Sequence, residues 1–232
     1  MDYVCRTTLT HGVFPDINYF IEPEDAVKCL TTFNIIEGKF CLLHGHRQSG
    51  KTTIIQAIAR HLREISDRVN INGFPTGLEV YIISFNAGID VENGVDSFWG
   101  SLKMQAVYPH RFPLGEKPVS SSTFQSLFRW GPESQPVVLL FDEGSFLVNR
   151  DNLVVDDFIG MLRLLRDGRD KYCMQSLVLA GVETVKQLLA PWQSSGFIGR
   201  ISPFTREATI ASGHFTEPIV KYCLNRNNMC SR

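Results

Sequence analysis

Short apolar runs alternate with longer amphipathic stretches along most of the chain. Runs of four to eight apolar, β-branched or aromatic residues, bounded by loop residues, are typical of strands buried on both faces. They predict strands at Phe40–Leu43, Leu78–Phe85, Val137–Phe141 and Ser176–Ala180, and a fifth strand within Phe197–Pro203.

The stretches between these runs place apolar residues three or four positions apart, which predicts helices. Alternation of strands and helices indicates an α/β fold, because a helix is the usual connection between parallel strands. We therefore expect three layers, with a mostly parallel five-stranded sheet and helices on both of its faces. The predicted helices are Glu22 to about Phe33, Thr52–Leu62, Val95–Val107, Ser120–Trp130, Asp151–Asp167, Glu183–Leu189 and Phe215–Leu224.

The turn between the first strand and its helix, Gly45–Thr52, fits the pattern G-x-x-x-x-G-K-[ST] of P-loop NTPases. Its glycines let the backbone approach a phosphate chain closely, and the helix N-terminus adds N–H groups and positive charge. We expect Lys51 to reach the β- and γ-phosphates and Thr52 to bind Mg²⁺. We call Gly45–Thr52 the phosphate loop. The residues predicted to bind nucleotide are Gly45, His46, Arg47, Gln48, Ser49, Gly50, Lys51, Thr52 and Thr53.

A second motif ends the third predicted strand, where five apolar residues run into Asp142 and Glu143. We call these two residues the acid pair. Asp142 is expected to hold Mg²⁺ together with Thr52, and Glu143 to orient the attacking water. Because ligands of parallel sheets lie at the carboxyl ends of the strands, the phosphate loop and the acid pair are predicted to share one edge.

The bulk composition narrows the class of protein. The chain has 232 residues, of which 44% are hydrophobic and 20% charged, and its formal net charge is −1. These values are typical of a globular protein and give no general electrostatic reason to expect nucleic acid as a partner. The basic residues around Arg163–Lys171 are interpreted as a solvated helix end, although contact with nucleic acid stays open.

Cysteine spacing and the N-terminal sequence bear on the compartment. The six cysteines form no C-x-x-C pair and have no metal-ligand spacing with histidine, which predicts free thiols in a reducing compartment. The N-terminus lacks the pattern of a signal peptide, and no run approaches the ~20 apolar residues of a membrane helix. We expect a cytoplasmic protein without a membrane partner, and leave a nuclear location open.

These motifs resemble the AAA-type, STAND/ORC-like P-loop ATPases of the additional-strand, catalytic-glutamate division. The resemblance rests on the phosphate loop and on Val137–Glu143, and at the level of pattern on Ser176–Val185 and Ser202–Val220. The last stretch is similar to the part of such domains that holds a fifth strand and the start of a helical lid. The resemblance implies ATP and Mg²⁺ as ligands and a P-loop NTPase fold.

The resemblance also implies roles for single residues. Lys51 and Glu143 correspond to catalytic positions, and Thr52 and Asp142 to metal ligands. Two departures are visible. The family's polar residue at the end of the fourth strand is replaced by Ala180-Gly181, and the nearest polar residues are Glu183 and Thr184.

The second departure concerns the C-terminal part. The implied organisation is an irregular lead-in over 1–18, an α/β NTPase domain over 19–214, and the start of a helical lid over 215–232. The resemblance implies that this lid is truncated. Arg200 or Arg206 is a candidate for a charge-stabilising arginine. Self-association or a protein client is left open.

The sequence favours Mg²⁺-dependent ATP hydrolysis and leaves two alternatives. One is an ATP-gated switch or scaffold with little turnover, which the weak sensor position and short lid favour. The other is a small-molecule phosphotransferase, which the acid pair disfavours. The phosphate loop is not a G-x-G-x-x-G dinucleotide motif, no G-x-S-x-G elbow is present, and no N-K-x-D guanine motif is present.

Overall fold

The computed structural model describes residues 27–28, 30–66, 77–85, 88–90, 92–102, 105–108, 120–132, 134–148, 152–189, 202–204 and 206–212. The predictions for residues 1–26, for Phe197–Ile201 and for the chain from 213 onward lie outside these residues. The start of a lid and the role of Arg200 therefore stay predictions.

Among the described residues, six strands form one sheet in the order β3-β2-β4-β5-β1-β6. Five of them are parallel neighbours, and β3 pairs antiparallel to β2 at one end of the sheet. The mostly parallel α/β fold predicted from the sequence is confirmed. The strands are β1 (Phe40–His44), β2 (Glu79–Ser84), β3 (Gln105–Tyr108), β4 (Val137–Asp142), β5 (Met174–Gly181) and β6 (Thr209–Ala211).

Four α-helices connect or flank the described strands. They are α1 (Lys51–Ile65), α2 (Val95–Ser101), α3 (Ser121–Ser126) and α4 (Asn152–Asp167). Shorter helical turns cover Thr31–Ile35, Gly144–Leu147, Glu183–Leu189 and Arg206–Ala208. The buried apolar residues of α1, among them Ile54, Ile55 and Ile58, pack with the aliphatic side chains of the strands.

The opposite face of the sheet is covered by α2, α3 and α4 and is rich in aromatic residues. Phe98 and Trp99 of α2 are fully buried. The Phe158 ring of α4 meets the rings of Phe85 and Phe141 edge to face, with centroids 5.7 and 5.4 Å apart. Helices therefore lie on both faces, and this explains why β1, β4 and β5 are buried along their whole length.

One predicted helix is wrong in its second half. The helix predicted over Val95–Val107 ends at Ser101, its cap Leu102 is extended, and Gln105–Tyr108 forms β3. Tyr108 precedes a proline, which biases a residue towards extended backbone. Pairing with β2 then supplies backbone hydrogen bonds that a helix would otherwise make, so the apolar spacing alone was misleading.

The fifth parallel strand of the described sheet is β6, whereas most of the stretch predicted to hold a fifth strand, Phe197–Pro203, lies outside the described residues. Ser202, Pro203 and Phe204 are outside any strand, and β6 at Thr209–Ala211 pairs with β1 instead. β6 has only three residues, so it lacks the apolar run that a sequence search needs. The family resemblance, by contrast, had placed this strand within Ser202–Val220.

Within the described part of the chain, no helix combines the length and the apolar character needed to cross a membrane.

Candidate functional site

Strand register brings the two sequence motifs to one edge of the sheet. His44, at the end of β1, is level with Gly181 at the end of β5 and with Ala211 at the end of β6. Asp142 ends β4, the neighbour of β5 on its other side. The phosphate loop and the acid pair consequently meet at the carboxyl edge, with β5 between their strands.

The phosphate loop contains two residues with left-handed backbone, Gln48 at φ 60° and Gly50 at φ 80°. Left-handed residues between right-handed ones turn successive N–H groups inwards, which makes an anion-binding concavity. The loop leads directly into α1, whose first N–H groups have no partner within the helix. His46, Arg47, Gln48 and Gly50 are exposed, whereas Ser49, Thr52 and Thr53 are half-buried. The backbone shape thus fits a polyphosphate.

The Lys51 side chain lies inside the loop. Its ammonium donates to the carbonyl oxygens of Gly45 and His46, at 3.4 and 2.5 Å, and to the Ser49 hydroxyl at 3.2 Å. Burial lowers the pKa of Lys51, while the carboxylates of Glu143, Asp142 and Glu183 act in the opposite direction. Its charge is therefore held within the loop and faces a group of carboxylates.

Asp142 contacts the phosphate loop through Thr52. The carboxylate is only 6% exposed. It accepts a hydrogen bond from the Thr52 hydroxyl and another from the backbone N–H of Glu143, the latter at 2.9 Å. Burial raises the pKa of Asp142 despite these hydrogen bonds and the charge of Lys51. A hydroxyl beside a buried carboxylate is a set of hard oxygen ligands, and its chemistry fits Mg²⁺.

Glu143 has left-handed backbone at φ 58° and is half-buried. Burial and the neighbouring Asp142 raise the pKa of its carboxyl group, and the cations Lys51 and Arg47 oppose that shift. Among the described residues, Gln48 and Glu143 are the only non-glycine residues with positive φ. Such backbone costs on the order of 1–3 kcal/mol and concentrates at functional sites. The strain therefore falls on the two motifs that the sequence singled out.

The sequence did not single out the pair formed by His44 and Glu183. Glu183 begins the turn after β5, and its carboxylate contacts His44 Nδ1 at 3.0 Å and the Lys186 ammonium. The hydrogen bond from Lys186, followed by that from His44, lowers the pKa of Glu183 to about 2. An ionised carboxylate only accepts, so His44 donates from Nδ1. The rule that ligands gather at strand ends would have flagged both residues.

The end of β5 leaves no space for the polar residue expected there. A Cβ on Gly181 would lie 2.6 Å from the Ser145 hydroxyl, and one on Gly144 would lie 2.5 Å from Leu179. Ser145 also accepts from the backbone N–H of Val182 at 2.5 Å. The two turns after β4 and β5 are thus packed against each other, with the Ser145 hydroxyl between them.

Basic residues in the last turn of α4 and just after it contribute to the fold. Arg166 donates to the carbonyl oxygens of Ser202 and Pro203, both at 3.1 Å, and Arg169 donates to the Gly38 carbonyl. Their interpretation as a solvated helix end is wrong for these two residues, because backbone carbonyls in the packed interior need donors. Arg206 lies in the helical turn before β6, and its role stays a prediction.

Comparisons with known proteins do not show the family of this chain. No protein-family model and no curated protein sequence matches the chain. A solved structure of Drosophila ORC bound to DNA is similar to it, with a TM-score of 0.47 and 16% sequence identity. The similarity covers 87% of this chain but 45% of that chain, so this chain spans less than half of its length.

Proposed function

We propose that this chain binds ATP with Mg²⁺ and hydrolyses it, as an AAA-like P-loop domain. The observation that carries the proposal is the hydrogen bond from Thr52 to Asp142. It joins the phosphate loop to the acid pair, although the two motifs are far apart in the sequence. A polyphosphate in the loop would then lie beside both a metal-binding pair of oxygens and the Glu143 carboxylate.

Each residue has a role that its surroundings support. Lys51 and the N–H groups of the loop and α1 bind the phosphates. Thr52 and Asp142 would hold Mg²⁺, which would supply charge neutralisation at the phosphates. Glu143, with its pKa raised by burial, orients the attacking water and accepts its proton. Phosphoryl transfer needs positioning and charge neutralisation, and these four side chains supply both.

The finer assignment to the additional-strand, catalytic-glutamate division is part of the proposal. It is supported by β5, which lies between the strand of the phosphate loop and the strand of the acid pair. ATP is proposed over GTP because the family resemblance implies it and the sequence has no N-K-x-D motif.

Binding is tested by calorimetric titration of MgATP into the wild type, Lys51→Ala and Lys171→Ala. We expect tight binding by the wild type and by Lys171→Ala, whose lysine is exposed and far along the chain from the loop. Lys51→Ala should lose most of the affinity. The mass of the particle, measured with and without ATP, reports self-association. Absence of binding by the folded wild type would overturn the proposal.

Hydrolysis is tested by phosphate release from the wild type and from Glu143→Gln. The amide keeps the shape of the side chain but accepts no proton. We therefore expect that MgATP binding is retained and that turnover falls by about 100-fold or more, as for loss of a general base. Equal turnover in both proteins would remove Glu143 from the mechanism.

A switch that binds ATP with little turnover is the alternative, and one observation favours it. The end of β5 is closed by Ser145, and Glu183 is already engaged by His44 and Lys186. At the end of β5, the described side chains therefore offer no polar group that is available to contact the reacting phosphate. Tight binding with less than one turnover per bound ATP in the wild type would decide for the switch.

A further inference from the structure

Ser212 follows β6 and touches the phosphate loop from the side opposite to the acid pair. Its backbone N–H donates to the His44 carbonyl at 2.6 Å, which extends the pairing of β6 with β1. Its hydroxyl lies 2.5 Å from the Ser49 hydroxyl. The residue is 5% exposed. Both contacts go to the loop or to the residue immediately before it.

The Ser49 hydroxyl also accepts from Lys51 at 3.2 Å. A hydroxyl group has one proton and two acceptor positions, so Ser49 can bond Lys51 and Ser212 together. A continuous chain of hydrogen bonds thus runs from the Lys51 ammonium through Ser49 to Ser212. Two of its members belong to the sequence motif, and the third follows the last described strand.

Gly45 explains how Ser212 comes so close. A Cβ at position 45 would lie 2.0 Å from the Ser212 hydroxyl oxygen and 3.0 Å from its carbonyl oxygen. Real Cβ atoms do not approach other atoms at the first distance, so a larger residue at 45 would push Ser212 away. The first glycine of the loop is therefore required by β6 as well as by the approach of a phosphate.

We propose that Ser212 is a positioning residue of the phosphate loop, which it orients through the Ser49 hydroxyl. This rests on the proposed nucleotide binding. Ser212 fixes the rotamer of Ser49, and Ser49 in turn fixes where the Lys51 ammonium lies when phosphate enters. The end of β6 is by this route part of the nucleotide site.

The test is a double-mutant cycle on the full chain, with Ser49→Ala, Ser212→Ala and the combination of both. Affinity is measured by calorimetry for MgATP and for tripolyphosphate, which contains only the part of the ligand near this contact. Each single substitution should lower the affinity for both ligands about 3- to 10-fold, which is the effect of losing one ordinary hydrogen bond. The double variant should be no weaker than the weaker single variant, because both changes remove one interaction.

Two controls separate positioning from general stability. Ser202→Ala removes another buried hydroxyl, which donates to the Leu188 carbonyl at 2.8 Å without touching the loop, and should keep wild-type affinity. Ser212→Thr retains the hydroxyl and should restore most of the affinity. Additive losses in the double variant, or wild-type affinity in Ser212→Ala, would overturn the role of Ser212 alone. Failure of the wild type to bind MgATP would instead overturn the proposed function, and this role with it.

Discussion

The two edges of the sheet use buried polar groups in opposite ways. At the amino edge, three side chains donate to carbonyl oxygens of the segment before β1: Gln175 to Ile36 at 2.7 Å, Ser176 to Lys39 at 2.5 Å, and Arg169 to Gly38. At the carboxyl edge, the acidic groups of the acid pair lie side by side and their burial opposes ionisation.

Backbone conformation shows the same contrast. At the amino edge the left-handed position before β1 is occupied by Gly38, at φ 78°, where the conformation carries no steric cost. At the carboxyl edge left-handed positions are also occupied by Gln48 and Glu143. The contacts at the amino edge therefore satisfy backbone carbonyls of the segment before β1 and stabilise the fold. The carboxyl edge retains strain and unfavourable charge, which is expected where a ligand supplies the missing compensation.

Of the substitutions that test this difference between the two edges, we expect the largest effect from a change at Asp142. Burial raises its pKa above the ordinary value of 3.8, so the folded protein binds this proton more strongly than the unfolded chain does. The free energy of unfolding therefore falls as the pH rises from the pKa of Asp142 in the unfolded chain through its raised pKa in the folded protein. At pH 7 the Asp142 carboxylate is ionised, and its charge destabilises the folded state. Asp142→Asn should therefore be more stable than the wild type in EDTA, measured by urea unfolding at pH 7.

The same variant should be nearly inactive. Loss of a proposed metal ligand removes several kcal/mol of charge stabilisation, which corresponds to ATP turnover at least about 100-fold lower. The stability difference should shrink below the ordinary carboxyl range, where Asp142 is protonated in both states. A variant that is less stable at pH 7, or that keeps its turnover, would contradict the assignment of this edge to function.

The amino edge should respond in the opposite sense. Arg169→Met keeps the length of the side chain but leaves the Gly38 carbonyl without its donor. We expect unfolding free energy to fall by about 1–3 kcal/mol, since a charged donor to a carbonyl oxygen is lost. Affinity for MgATP should stay near that of the wild type, measured on the folded protein by calorimetry.

Lys171→Met is the matched control, because Lys171 lies in the same turn as Arg169 and is exposed. Its unfolding free energy should change by less than about 0.5 kcal/mol, as for most surface substitutions. Equal losses in both variants would mean that the contact with Gly38 has no special weight.

The smallest expected effect concerns Glu183. It lies at the carboxyl edge, but its carboxylate has hydrogen-bond partners, as the carbonyl groups before β1 do at the amino edge. Its pKa is lowered from 4.5 to about 2, first by Lys186 and then by His44. The ionised Glu183 carboxylate therefore stabilises the folded protein above pH 4.5, and this stabilisation is lost as the pH falls towards 2. Because the side chain is 43% exposed, Glu183→Gln should lose about 0.5 kcal/mol or less at pH 7.

Urea unfolding of the wild type and Glu183→Gln between pH 7 and pH 2 measures this difference. The two curves should converge as the pH approaches 2. A constant difference across that range would show that the carboxylate charge is not what stabilises the turn.

Local patterns were sufficient for the elements with a long or distinctive sequence. Val137–Phe141 is apolar throughout, and Ser176–Ala180 is apolar after its first residue, because both sheet faces are covered. The structure extends the first run to Asp142 and the second to Met174 and Gly181 at its two ends. β3 and β6 were beyond such reasoning. They are four and three residues long, and their strand conformation depends on neighbours, β2 and β1, that the local sequence does not contain.

The sequence by itself determined the phosphate loop, the acid pair and the alternation of strands and helices, because each depends on residues that are neighbours in the chain. Only the tertiary structure decided that Thr52 bonds Asp142, that Glu183 bonds His44 and that Ser212 bonds Ser49. These contacts join residues from different strand ends. Their partners are set by the order and register of the parallel strands, which no local pattern encodes.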